Sequence, residues 1–221
     1  MKSLSGRIVG LFIVTAFALT SCTSGRYYSD FKSNKKSVEK LVVIQPYIFV
    51  KSVIDQVQTE DIALEVQLAK IISAKTNSIL SGKYALMPVS TITDATREKD
   101  LQDLFLKLDS LEKSTSPMSI PTFLQKDMKN INERYCLMFF FRGYYNGYYQ
   151  PEEAFMDRVL SNKIYLKSRH LFGSDMRLVV FDVLKNKIVY YDKKISKEND
   201  PRRPMIIEQT TSSMLRSIYY K

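Results

Sequence analysis

A single histidine, His170, and two cysteines, Cys22 and Cys136, narrow the chemistry open to this 221-residue chain. One histidine cannot build a histidine-based metal cluster. With Cys22 committed elsewhere, as argued below, Cys136 alone cannot build a thiolate zinc site, so no metal and no cofactor are expected. His170 follows Arg169 on a linker-like segment, the setting of a solvated side chain rather than a general base. Cys136 lies inside Tyr135-Cys136-Leu137-Met138-Phe139-Phe140-Phe141, where a thiol behaves as a small buried apolar group. The chain has no Gly-x-Ser-x-Gly, phosphate loop or dinucleotide fingerprint. The acids Glu152 and Glu153 are neighbours on one stretch, not a pair facing across a cleft as a glycan hydrolase requires. Asp182 and Asp192 fall on hairpin strands and are expected to face solvent. No catalytic residue is therefore expected.

The composition best suited to recognition is Arg142, Tyr144, Tyr145, Asn146, Tyr148 and Tyr149. Tyrosine offers a large contact area with few rotatable bonds, and its hydroxyl tolerates water. The stretch from Gly143 to Pro151 reads as a loop, and loops carry contacts. Arg142, Tyr144, Tyr145, Tyr148 and Tyr149 are the candidate partner-contact residues; local packing over the end of a sheet is the competing reading.

The N-terminus carries the clearest signal. Lys2 and Arg7 precede an apolar run from Ile8 to Leu19, broken only by Gly10 and Thr15. That run is well short of the ~20 residues a spanning helix needs. Charge, apolar stretch and small residues in that order form a secretory signal. Leu19-Thr20-Ser21-Cys22 resembles the bacterial lipobox, whose signal is cut immediately before the cysteine. The resemblance implies that residues 1–21 are removed and that Cys22 carries lipid, leaving Cys136 without a disulfide partner. Thr23 to about Ser37 is polar and aperiodic, so residues 22–37 read as a flexible tether and 38–221 as one domain.

The rest of the chain alternates helices and strands. Leu41–Ile44 followed by Tyr47–Val50 reads as a buried strand interrupted near Pro46. A helix follows, capped by Thr59 and ended at Gly82, with Ile62, Val66, Ala69 and Ile72 marking its inward face and Leu68 and Ile71 widening it. Tyr84–Met87 is a short strand stopped at Pro88. Leu101, Leu104, Phe105, Leu108 and Leu111 recur at helical spacing, a core-facing stripe opposite a charged face. Pro121 opens a short helix. Tyr135–Phe141, apolar on both faces, belongs in the middle of a sheet. Met176–Leu184 and Ile188–Lys194 flank Lys185-Asn186-Lys187, a hairpin whose Asn tolerates the left-handed conformation of a tight turn. Pro204 starts a final helix with Ile207, Met214, Leu215 and Ile218 inward. The fold class is α/β: a single layered domain with a mixed sheet of about five strands and helices packed on it, closing with a β-hairpin and a C-terminal helix.

The closing pattern Leu178-Val179-Val180-Phe181-Asp182-Val183 with Ile188-Val189-Tyr190, after the early strands, resembles exported bacterial domains of the CsgG/LpoB/TolB-N-terminal type. The resemblance is at the level of topology over roughly residues 40–220. It implies as partners an envelope assembly complex, a peptidoglycan synthase or further copies of the chain.

Net charge is +10, and after the signal is removed +8, with the excess concentrated in residues 163–221. Such a basic face ordinarily raises nucleic acid as a partner, but an exported protein does not meet it. Anionic head groups or an acidic protein surface remain. The expectation is a protein lipid-anchored through Cys22, in the outer membrane facing the periplasm, that binds or helps assemble an envelope partner. A carrier or sensor of a small lipid or glycan is the alternative, and an envelope hydrolase a weaker one.

Overall fold

A computed structural model describes residues 25–28, 31–89, 95–111, 117–148 and 172–219. The lipobox with Cys22, Tyr149, Glu152, Glu153 and His170 lie outside the described residues. Among the described residues no helix is long and apolar enough to cross a membrane.

Strand β6 (Tyr135–Asn146) is the axis of the sheet. On one edge it pairs antiparallel with β7 (Phe172–Asp182), which pairs antiparallel with β8 (Lys187–Ser196). On its other edge it takes two strands in succession, both parallel: β2 (Lys40–Ile44), then β3 (Tyr47–Ile54). Strand β5 (Ala85–Val89) extends the sheet beside β2, and β4 (Val57–Glu60) returns antiparallel beside β3. Pro88 is tolerated because β5 is an edge strand with one outer edge to spare. The expected mixed sheet is present, with eight strands among the described residues in place of about five.

The Gln45–Pro46 break has a structural purpose. Val42 pairs with Cys136, but Tyr47 pairs with Phe140, so the register against β6 slips by one residue across the proline. Inward parity flips with it. Leu41 and Val43 face one layer, and in β3 that role passes to Ile48 and Val50. A one-residue slip exchanges the faces of every later side chain, as the side-chain period of two demands.

Helices cover both faces. On the first lie α1 (Phe31–Asn34), α2 (Ile62–Leu80) and α5 (Pro204–Leu215), burying Leu68, Ile72, Ile207 and Met214 on Phe139 and Leu178. On the second lie α3 (Ala95–Ser110) and α4 (Thr122–Asp127), burying Leu104, Phe105, Leu108 and Leu124 on Met138, Phe140 and Phe181. The α3 stripe faces the core as its spacing predicts, and Pro204 occupies the first turn of α5. Asn186 adopts the left-handed conformation at φ 52° in the β7–β8 turn.

Three expectations are corrected. The inward face of α2 is Leu64, Leu68, Ile72, Thr76 and Leu80, whereas Ile62 and Val66 are exposed. That helix is apolar on several sides, so periodicity alone does not select the side that meets the sheet and α5. Its cap is Asp61, whose carboxylate accepts the Leu64 N–H at 3.0 Å; Thr59 instead pairs in β4. Third, the described part of residues 22–37 is docked, not free. Strand β1 (Arg26–Tyr27) pairs with β8, and Tyr28 and Phe31 are buried. Polar composition concealed two rings that pack on the body of the domain: Tyr27 lies 4.8 Å from Tyr190, and Phe31 5.2 Å from Tyr135. Gly25 is required there, since a Cβ would meet the Tyr190 hydroxyl.

Candidate functional site

Strands β3, β6, β7 and β8 run on past the helices at one end. On the α3 face this overhang is the floor of an open cleft of about 770 Å3, with Glu98 and Gln102 of α3 as its wall. The floor is polar where the rest of the sheet is apolar. Lys51 and Val53 come from β3, Arg142, Tyr144 and Asn146 from β6, Asp175 and Arg177 from β7, and Ile195 from β8. These residues share a face because every second position along each strand points the same way.

The expected tyrosine-rich loop is mostly strand. β6 continues through Asn146, and only Gly147 and Tyr148 turn. Its alternation therefore separates the tyrosines instead of grouping them. Arg142 and Tyr144 point into the cleft. Tyr145 points to the opposite face, where its hydroxyl donates to Asp61 at 2.6 Å and Arg202 lies over its ring at 4.4 Å. Burial and the Asp61 bond together hold its hydroxyl pKa above the ordinary value. Tyr148, on the turn, donates to Asp55 at 2.6 Å, a bond that raises its pKa. Arg142 and Tyr144 are thus brought together, Tyr145 and Tyr148 are placed apart, and Tyr149 is outside the described residues.

Tyr144 lies across Gly173, its partner on β7. A Cβ on Gly173 would sit 2.5 Å from a Tyr144 ring carbon, so glycine is what lets the ring come down onto the strand. At 36% exposure the tyrosine still presents surface to the cleft.

Beneath the cleft is an ionic cluster that pattern reading missed. The Arg177 guanidinium grips Asp175 through two bonds of 2.8 and 2.9 Å, and donates to Asp109 at 3.0 Å and to the Tyr191 hydroxyl at 2.6 Å. The Tyr191 hydroxyl in turn donates to Asp109 at 2.9 Å, and Lys193 reaches the same carboxylate at 3.0 Å. Burial acts to raise the Asp109 pKa, but Lys193, Tyr191 and Arg177 outweigh it and hold it below the ordinary carboxylate range. Arg177 also sits 4.9 Å over the Phe105 ring, so α3 is pinned by charge where its apolar stripe ends. Asp175 and Arg177, like Tyr191 and Lys193, are two apart on one strand, but Asp109 joins them from 68 to 84 positions away, which no local spacing reveals.

Asp182 and Asp192 do not face solvent as expected; both are buried. Asp182 is held by Arg134 at 2.8 Å and accepts the Lys185 N–H at 3.0 Å, closing the hairpin turn. Asp192 accepts the Lys193 N–H at 2.8 Å and the Tyr190 hydroxyl at 3.4 Å. Cys136 is fully buried, and burial pushes its thiol up to about 12, which fits the inert packing role read from its neighbours. Among the described residues no cluster of three or more His, Cys, Asp or Glu is placed to hold a metal ion.

No protein-family model and no curated protein matches the chain. Solved structures of similar shape include the PelC dodecamer from Paraburkholderia phytofirmans, at 8% identity and TM-score 0.39, covering 83% of this chain and 89% of that one. A neuraminyllactose-binding hemagglutinin homologue from Helicobacter pylori matches at 12% identity and TM-score 0.38, over 83% of this chain and 82% of that one. The hypothetical protein CT253 from Chlamydia trachomatis matches at 13% identity and TM-score 0.32, over 72% and 71%. At such scores these likenesses assign neither a family nor a role.

Proposed function

We propose that this chain is a lipid-anchored cell-envelope protein that works as a binding module, with the cleft over the β3–β6–β7–β8 overhang as its contact surface. The anchor rests on Cys22 after its apolar run, and places the domain at the outer membrane facing the periplasm. The observation that carries the binding half is the cleft: a polar floor with Arg142 and Tyr144 exposed, built on rigid strands. Both of its carboxylates are already engaged. Glu98 takes Lys51 at 3.1 Å and Gln102 at 2.9 Å, and Asp175 is held by Arg177. Paired carboxylates favour recognition over acid–base hydrolysis, which needs a proton that can leave. The partner is an envelope component, a protein or glycan, or a second copy of the chain.

The test is site-specific photo-crosslinking in intact cells, with the probe at Tyr144 and, as control, at Leu184 on the exposed hairpin turn at the far end of β7. An adduct at position 144 that is absent at 184 supports the reading. Equal adducts at both, or none at 144, would remove the cleft from it. Cys22→Ser tests the anchor separately: membrane fractionation and processing unchanged in that variant would sink the lipid assignment. Two or more acyl chains are needed for stable attachment, since each buried CH₂ contributes about 0.8 kcal/mol.

A further inference from the structure

The cleft carries more positive than negative charge, and its cations differ in how far they are committed. Lys51 closes on Glu98 at 3.1 Å, and Arg177 occupies both oxygens of Asp175. Arg142 lies 3.9 Å from Asp175, an ion pair too long for a hydrogen bond, and nearly half of its side chain is exposed. Its planar fork of donors remains open for a carboxylate on a ligand, the geometry guanidinium matches best. Lys197 lines the same trough from the end of β8 and is exposed.

Two further features define what carries the carboxylate. Tyr144, lowered onto Gly173, is a flat apolar platform beside Arg142. The remaining lining adds the neutral amide side chains of Gln58 and Asn146, while Ser174 and Ser196 border the cleft from strand positions that alternate with Asp175 and Ile195. Asn146 spends its carbonyl on the Tyr148 N–H at 3.0 Å and keeps its amide donors. A bare phosphate is held by several N–H donors converging on one point. Here cations, a ring and amides alternate along a trough, which fits an extended ligand bearing hydroxyls, an apolar C–H face and an acid group.

Resting on the reading of the cleft as the contact surface, we propose that it binds an acidic saccharide, one whose sugar carries a carboxylate that Arg142 receives while the ring face lies on Tyr144. The sugar hydroxyls meet the amides of Gln58 and Asn146 beside it, and Lys197 adds to the attraction. The proposal specifies a ligand class and assigns Gly173 a role as the residue that sets the height of the platform.

The experiment uses the full chain purified in detergent, with trigalacturonate and a hyaluronate hexasaccharide as probes and their methyl esters as neutral counterparts. Binding is read by calorimetry and by saturation-transfer NMR. At least one acidic probe binds, and its ester binds about tenfold more weakly or worse, as expected when a hydrogen-bonded charge is removed. Arg142→Gln lowers affinity for the acid but not for the ester. Gly173→Ala, which displaces the Tyr144 ring while leaving every charge in place, lowers affinity for both, with an unchanged melting curve showing that the fold survives. Failure of both acidic probes to bind, equal binding of acid and ester, or displacement by inorganic phosphate at matched concentration would overturn the proposal. An adduct at position 144 in cells, with neither saccharide bound, would discard the ligand class and keep the binding module.

Discussion

Tyr135–Phe141 and Arg142–Asn146 are consecutive stretches of β6, hydrogen-bonded to the same neighbour β7, yet the first is buried on both faces and the second is only partly covered. The difference lies in what packs on them. Under the first stretch, α3 and α5 lie on opposite faces, and each alternate residue is apolar to match. The second stretch emerges past α3, and its residues become Arg142, Tyr144 and Asn146 on that side. On the other side it is met by Asp61, Pro201 and Arg202. A strand longer than the helices that cover it thus supplies a rigid core and a rigid polar platform with one backbone. The platform needs no loop to hold its side chains in place.

The comparison breaks most visibly in the core. Phe140→Ala is expected to cost about 3–5 kcal/mol and Leu108→Ala about 2–5 kcal/mol in urea denaturation, as large-to-small changes in packed interiors do. A loss below about 0.5 kcal/mol at Leu108 would place the α3 stripe on the surface, since that is the range of ordinary surface sites.

At the boundary between the two regions, Arg177→Met should cost about 3 kcal/mol, because it removes the bidentate partner of Asp175 and leaves Asp109 to Lys193 and Arg26 in a partly dry setting. The same cluster sets an acid limb. Asp109 has its folded pKa below its unfolded value, so its contribution is full above the ordinary carboxylate range and is lost as pH falls through the lowered value. Asp109→Asn should flatten the stability profile on that limb. An unchanged acid limb would show that the cluster is solvated.

Cys136 sharpens the contrast from the alkaline side. Its thiol is raised from 9.0 to about 12, so between those values the unfolded chain loses a proton that the folded chain keeps. Stability is therefore full below pH 9 and falls as pH rises, by about 1.4 kcal/mol at pH 10 from this group. Cys136→Ala should remove that share of the decline. In native protein at pH 8 the thiol should resist alkylation, and rapid labelling would contradict its burial.

The smallest expected effects are on the platform. Arg142→Gln and Tyr144→Ala should each change stability by no more than about 0.5 kcal/mol, because neither side chain supports the core. A larger loss at Tyr144 would mean that its contact with Gly173 is structural.

Much of the core was legible in the sequence because its signals are local. The α3 stripe, the apolar run of the central strand, the Asn186 turn and the Pro204 helix start each depend on residues within a few positions of one another. The candidate site was legible only in part. Arg142 and Tyr144 were read as contact residues and do share the cleft, but they were read together with Tyr145 and Tyr148, which the pleat and the turn carry away. Gly143 and Gly147 gave that stretch the look of a loop. Nothing local showed that β7 and β3 would pair with it and hold it extended.

The chain itself, then, determines its alternation of helices and strands, the inward face of α3 and the residue types available for binding. These follow from periodicity and backbone preferences, which act over a few residues. Which side of α2 turns inward, that Arg26 and Tyr27 dock on β8 and Phe31 on β6, that Asp182 is buried, and that Arg177 joins Asp109 across 68 positions were decided by tertiary packing. Each depends on a surface contributed by a distant segment, and the free energy of a buried ring or ion pair exists only once that surface has formed.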